Sequence, residues 1–349
     1  MLVTQPSPVG ASKGTAPPEA LPAWKDIVAP TGPFLEAVAE RLRQQIQAFE
    51  GDVATFAEYA LSNQGKQLRP ILVALSGGAT GSTSDDHVLA AVIIEMVHLA
   101  TLVHDDVMDE ALIRRGRPTL AAHWGTEISV LLGDCLFAHA LKLAAGFPTT
   151  EMCRAVAAAT NTVCSGEILQ TQRRRNFELS RAEYFQVIQM KTGELFALSC
   201  DLGAYLSGAG AVQRSALRQY GLAIGTAYQV YDDCLDLYGS ETLVGKSLGT
   251  DLAKGKLTLP LLLALEQASP AERASIETMV REWVPSHFPK LLRLLDRYQT
   301  REGSRQAVQD YLRTAEDALE ALPDSACRRS LAGLCRYLSR QNVALGINA

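Results

Sequence analysis

Past Pro33, apolar residues recur three or four positions apart in Phe34–Phe49, Val88–Met108, Ile128–Leu143, Tyr184–Leu206, Leu217–Leu237 and Leu257–Leu265. That spacing gives a helix one face to bury, so these stretches predict helices packed on a shared core. Alternating, β-branched runs are scarce. Gly77-Gly78, Gly81 to Ser84, Phe147-Pro148, Gly208 to Gly210, and Gly239 with Gly245 and Gly249 mark short loops between the stretches. No fixed repeat and no Pro/Ser-rich linker divides the chain. The predicted architecture is therefore all-α, a single-domain antiparallel helical bundle over residues 31–349. Residues 1–30 are rich in Pro, Gly, Ser and Thr and contain no Arg, which predicts a disordered tail rather than a transit peptide. From about Glu272 onward the sequence is more charged, and we expect peripheral helices there.

Composition narrows the possibilities. With 349 residues, 47% of them hydrophobic and 20% charged, the chain can fill a large core. A net charge of −5 argues against a nucleic-acid partner but leaves room for a local basic pocket. The seven cysteines are scattered and never spaced as CxxC, so they are expected as free thiols in a reducing compartment, the cytoplasm. No uninterrupted apolar run reaches the roughly 18 residues of a membrane span, so no transmembrane segment is expected.

Two acidic clusters carry the chemistry. Asp105, Asp106 and Asp109 lie in His-Asp-Asp-Val-Met-Asp-Glu, at the end of a long apolar stretch. Asp232, Asp233 and Asp236 repeat the spacing at the end of another. Carboxylates at i and i+4 share a helix face, and a helix C-terminus disfavours negative charge, so both clusters call for a compensating cation. A lone cluster would be an ordinary acidic turn; two such clusters point to metal. Oxygen ligands without His or Cys favour magnesium, which is held by a few carboxylates together with substrate phosphates. Two facing clusters therefore predict a diphosphate clamped between them. Basic residues suited to phosphate lie nearby: Lys66 and Arg69 before a helix, Arg114 and Arg115 after the first cluster, and Lys246 and Lys256 after the second. Nothing in the sequence ties Arg173-Arg174-Arg175 to the clusters, and that run is expected to be surface charge.

From about Gly65 to Pro260 the motifs GKQLRP, HLATLVHDDVMDE, RRGRPT, Gly133-Asp134, GEILQTQ, KTG, YQVYDDCLD and GKSLGTDLAKGKLTLP appear in one order. In this the chain resembles the trans-isoprenyl diphosphate synthases, most of all the long-chain, octaprenyl type. It departs from the family's habit at Gln64, Gln67 and Tyr228, none of which removes a metal ligand or a required cation. The resemblance implies the isoprenoid synthase fold with a central cavity, a homodimer, and condensation of isopentenyl diphosphate onto an allylic diphosphate. It implies three magnesium ions held by Asp105, Asp106 and Asp109 with Asp232 and Asp236, and an allylic diphosphate bound by Arg114, Lys191 and Lys246. It gives isopentenyl diphosphate to Lys66, Arg69, His98 and Arg115, and places Thr192 and Gln229 near the reacting carbons. A terpene cyclase or an inactive regulatory subunit are the competing readings, and all six aspartates argue against the second. Product length is read from the helix before Asp105. One turn rises about 5.4 Å, close to an isoprene unit, and Thr101, Ala100 and Val97 present no aromatic there. That predicts a product beyond twenty carbons rather than farnesyl or geranylgeranyl diphosphate.

Overall fold

The computed structural model describes residues 23–62, 65–240 and 248–345. The helices in its first half are α1 (Trp24–Val28), α2 (Gly32–Gln47), α3 (Asp52–Leu61), α4 (Leu68–Thr80), α5 (Asp85–Met108) and α6 (Leu120–Trp124). There follow α7 (Thr126–Ala145), α8 (Thr150–Gln172), α9 (Arg181–Ile188), α10 (Glu194–Leu206) and α11 (Ala211–Tyr238). The chain ends with α12 (Thr250–Ala253), α13 (Leu259–Gln267), α14 (Pro270–Arg281), α15 (Phe288–Arg297), α16 (Thr300–Ala318) and α17 (Ala326–Ala344). Among the described residues the only sheet is the short pair β1 (Ile113–Arg114) and β2 (Arg117–Pro118), antiparallel, with Arg114 opposite Arg117.

Two apolar cores flank a central space. One gathers α5 with α2, α7 and α8 through Leu42, Ile94, Leu136 and Val156. The other gathers α11 with α16 and α17 through Tyr220, Val230, Val308 and Leu331. Helices α4 and α10 give residues to both, Val73 and Leu198 to the first and Leu72 and Cys200 to the second. They can do so because they cross backbone to backbone: a Cβ on Gly203 would lie 2.4 Å from the Val73 carbonyl oxygen. Close approach also explains Gly77-Gly78, which the sequence suggested as a loop and which lies inside α4: a Cβ on Gly78 would stand 2.5 Å from Cys327 Sγ on α17. A Cβ on Gly77 would sit 2.8 Å from the His87 ring, which is itself fixed by Ser84 N–H to Nδ1 (3.1 Å) and by Nε2 to the Gly203 carbonyl (3.1 Å).

Two further expectations are corrected. The expectation of disorder through residue 30 fails at Trp24–Val28, which is helical and buries Ile27 against the C-terminal half of the molecule. The charged C-terminal stretch is not peripheral: α16 buries Val308, Leu312 and Ala315 in the α11 core. Its charges lie on the outer face while the apolar stripe faces inward. Helices α5 and α7 each have the length and apolar composition of a membrane span, although neither is an uninterrupted apolar run. The α5 window is 67% buried inside the protein, as befits a core helix, whereas that of α7 is only 33% buried.

Candidate active site

A cavity of about 1490 Å³ opens between α5 and α11 and is lined by Asp105, Asp106, Asp109, Asp232 and Asp233. Helix α5 stops at Met108 with Asp109 at its C-cap, so the first cluster sits on the last turn. The hairpin that follows turns through Arg115 at φ +51° and Gly116 at φ +76°, which sends Arg114 and Arg115 back into the cavity.

Each carboxylate of the first cluster is met by cations. Arg114 Nε donates to Asp106 Oδ1 at 2.8 Å. Burial pushes the Asp106 carboxyl up, and Arg114 opposes it. Lys191 Nζ lies 3.5 Å from Asp105, donates to Gln170 Oε1 at 3.0 Å and pairs with Glu167. Burial would lower its pKa, but Asp105 and Glu167 raise it, so the ammonium is retained. Asp109 accepts from Arg174 (3.0 Å), Lys254 (3.0 Å) and Lys256 (2.9 Å). Burial opposes its charge, yet the pairs with Lys256 and Lys254 override it and bring the carboxyl down to about 2. Arg174 thus corrects the surface reading of the arginine run, and Lys254 was not singled out at all.

The second cluster is wired differently. Thr192 Oγ1 donates to Gln229 Oε1 (2.7 Å), Gln229 Nε2 to Asp233 Oδ1 (2.8 Å), and Tyr184 O–H to Asp233 Oδ2 (2.6 Å). Burial, reinforced by the charge of Asp251, pushes the Asp233 carboxyl up to about 8. Asp236 is turned away from the cavity and is nearly fully buried. Its side chain accepts from Thr250 Oγ1 (2.6 Å) and the Asp251 N–H (3.0 Å), which anchors α12 onto α11. Lys191 and Thr192 lie on Gln189–Gly193, a π-helical segment between α9 and α10. Such a bulge re-aims consecutive side chains, and here it turns both into the cavity.

Lys66, Arg69, His98 and Arg115 line the same cavity from the α4 side. Arg69 stacks on Phe196 with 5.1 Å to the ring centroid. Burial, together with the charges of Arg69, Arg114 and Arg115, holds His98 well below 6.5, so its ring is neutral. Lys66 rests over the Trp24 and Tyr337 rings at 5.4 and 5.2 Å. Glu95 joins this group unannounced by the sequence: it lines the cavity, burial raises its pKa, and Arg69 and Arg115 counter that. Its one sequence signal is a carboxylate inside the otherwise apolar α5. Lys246 and Gln64 lie outside the described residues. Of the positions read for product length, Thr101 lines the cavity, as do Leu99, Leu102 and Phe137. Ala100 and Val97 are instead packed in the α5 core.

Among the described residues no three carboxylate, imidazole or thiolate groups converge on one point. Neither cluster is a ready-made cage. The donor set fits hard divalent ions held by one or two carboxylates and completed by phosphate oxygens, as magnesium prefers.

Three comparisons bear on this geometry. The chain is 32% identical over 299 residues to octaprenyl diphosphate synthase of Escherichia coli K12, covering 85% of this chain and 91% of that one. It is equally 32% identical over 310 residues to a short chain isoprenyl diphosphate synthase of Methanothermobacter thermautotrophicus, covering 87% and 95%. The crystal structure of a polyprenyl synthase from Caulobacter crescentus, complexed with calcium and isoprenyl diphosphate, matches 93% of this chain and all of that one at a TM-score of 0.87 and 32% identity. Residues 51–291 match the polyprenyl synthetase family, and to that family the chain belongs.

Proposed function

We propose that this protein is a prenyltransferase that condenses isopentenyl diphosphate head to tail onto an allylic diphosphate, forming a linear all-trans chain of more than twenty carbons. One observation carries the reading: five aspartates of the two clusters and two separate basic groups all face one cavity. The first basic group, Arg114, Lys191 and Lys256, surrounds the carboxylates and suits the allylic diphosphate. The second, Lys66, Arg69, Arg115 and neutral His98, suits the diphosphate of isopentenyl diphosphate.

Asp105, Asp106, Asp109 and Asp232 would hold magnesium, three ions in all, against the allylic diphosphate, while Asp233, whose oxygens accept from Gln229 and Tyr184, orders that end of the site. Asp236 we assign to α12 instead. When bound, the ions neutralise charge building on the departing diphosphate and so lower the barrier to breaking the allylic C–O bond. The side chains do the rest. Lys191 and Arg114 take phosphate oxygens as these separate from carbon. Thr192 and Gln229 place their oxygens beside the developing allylic cation. The second basic group holds the acceptor double bond in line, and the apolar wall keeps water out. A proton then leaves to the departed diphosphate, and the product is again allylic.

Relatives named for long and short products share one level of identity, so product length rests on the cavity. Its volume exceeds the roughly 300–1,000 Å³ of most small-molecule sites, and Thr101 puts no aromatic ring beside the aspartates. We also propose a homodimer. The apolar window of α7 is only 33% buried and its Leu131 is 60% exposed, and a second copy would cover that helix. The seven free cysteines support a cytoplasmic setting. The reading is tested by substituting Asp105→Asn and Asp232→Asn separately. Each should abolish condensation of labelled isopentenyl diphosphate with an allylic primer while the protein stays folded; retained turnover in either would refute it.

A further inference from the structure

Asp109 is served by three cations from two distant segments. Arg174 follows α8, whereas Lys254 and Lys256 flank Gly255 beyond α11. The segments are joined by the Arg175 N–H, which donates to the Gly255 carbonyl at 2.8 Å. Gly255 stands at φ +70°, and a Cβ there would lie 2.6 Å from Arg175 Cγ, so the junction requires glycine. Arg174 and Lys254 keep their side chains only 24% and 28% exposed, and the Asp109 side chain is 16% exposed. Two positive charges beyond Lys256 are thus spent on one carboxylate at the metal end of the cavity.

We propose that Arg174 and Lys254 are positioning residues that occupy Asp109 until a divalent cation and a diphosphate arrive together, then turn to the diphosphate oxygens. The inference rests on the metal-binding role given above to Asp109. A bare cation must displace ammonium and guanidinium groups that then have no anion to receive them. A cation carrying diphosphate supplies that anion, so the displaced charges are re-paired in the same step. Metal and diphosphate binding are therefore coupled through Arg174 and Lys254, and the coupling is reciprocal.

The experiment is Mn²⁺ binding to the metal-free full chain, read by the paramagnetic resonance of free Mn²⁺, with and without inorganic diphosphate. Wild type should bind Mn²⁺ weakly alone and much more tightly with diphosphate. The double variant Arg174→Gln/Lys254→Gln should bind Mn²⁺ alone about tenfold more tightly than wild type, about 1.4 kcal/mol, and gain less from diphosphate. Lys254→Gln alone should move both quantities the same way by a smaller factor, and it carries the test if the double variant does not fold. Unchanged Mn²⁺ affinity without diphosphate, or an undiminished gain from it, would overturn the proposal while leaving the metal reading intact. If wild type bound no Mn²⁺ even with diphosphate, the metal reading would fall, and this inference with it.

Discussion

Gly166 on α8 offers the sharpest perturbation of the catalytic geometry that touches no charged group. A Cβ there would stand 2.8 Å from the Lys191 backbone nitrogen and 2.8 Å from Met190 Cβ. That is about 0.6 Å inside the 3.4 Å at which ordinary contact begins, and backbone cannot swing aside as a side-chain tip can. The Gly166→Ala substitution must therefore push the Gln189–Gly193 segment away from α8. This moves Lys191 relative to Glu167 and Gln170, its partners on α8, and Thr192 relative to Gln229. A displacement of about 1 Å can cost on the order of 10²-fold in rate, so a shift of about half that should lower kcat roughly tenfold. Stability should suffer less. Overpacking costs about 1–3 kcal/mol. The better helix propensity of Ala returns up to about 1 kcal/mol. The assay is steady-state condensation at saturating concentrations of both diphosphates, alongside thermal unfolding. A kcat within twofold of wild type would refute the claim that the α8 contact fixes Lys191 and Thr192.

Three more outcomes are expected. Tyr184→Phe removes a buried donor to Asp233 and should cost about 1–3 kcal/mol in denaturant unfolding. Wild-type stability in that assay would contradict the 2.6 Å bond. Thr101→Phe should shorten the product distribution without abolishing condensation, and an unchanged distribution would remove Thr101 from the chain path. Burial lowers the pKa of His87 from 6.5, so folding favours the neutral ring that accepts from Ser84 and donates to Gly203. Its contribution is complete above about pH 6.5 and is lost as pH falls through the lower folded value. Unfolding free energy of the metal-free protein should show that loss, and His87→Gln should flatten it.

The helices were legible because their apolar faces repeat at helical spacing, and the C-terminal ends of α5 and α11 could be placed from the aspartates they carry there. Less visible were features set by tertiary contact. Gly77-Gly78 looks like a turn in sequence, yet it is a helix interior stripped of side chains so that His87 and α10 can approach Gly77 and Cys327 can approach Gly78. Arg174 and Lys254 look like surface charge because only the Arg175–Gly255 junction brings them to Asp109. Asp236 has the spacing of a metal ligand, but the short helix beginning at Thr250 claims both of its oxygens. Glu95 is a lone carboxylate in the apolar middle of α5, and its partners Arg69 and Arg115 come from other elements. The π-helical turn at Lys191 has no composition signal at all, since the apolar pattern continues through it.

The central claim is that this cavity builds a long isoprenoid chain. It is tested most directly by incubating the protein with magnesium, labelled isopentenyl diphosphate and farnesyl diphosphate, then sizing the dephosphorylated products. We predict a ladder that ends well beyond twenty carbons and vanishes when magnesium is chelated. Products stopping at fifteen or twenty carbons would contradict the open-cavity reading, and no condensation with any allylic primer would contradict the enzyme itself.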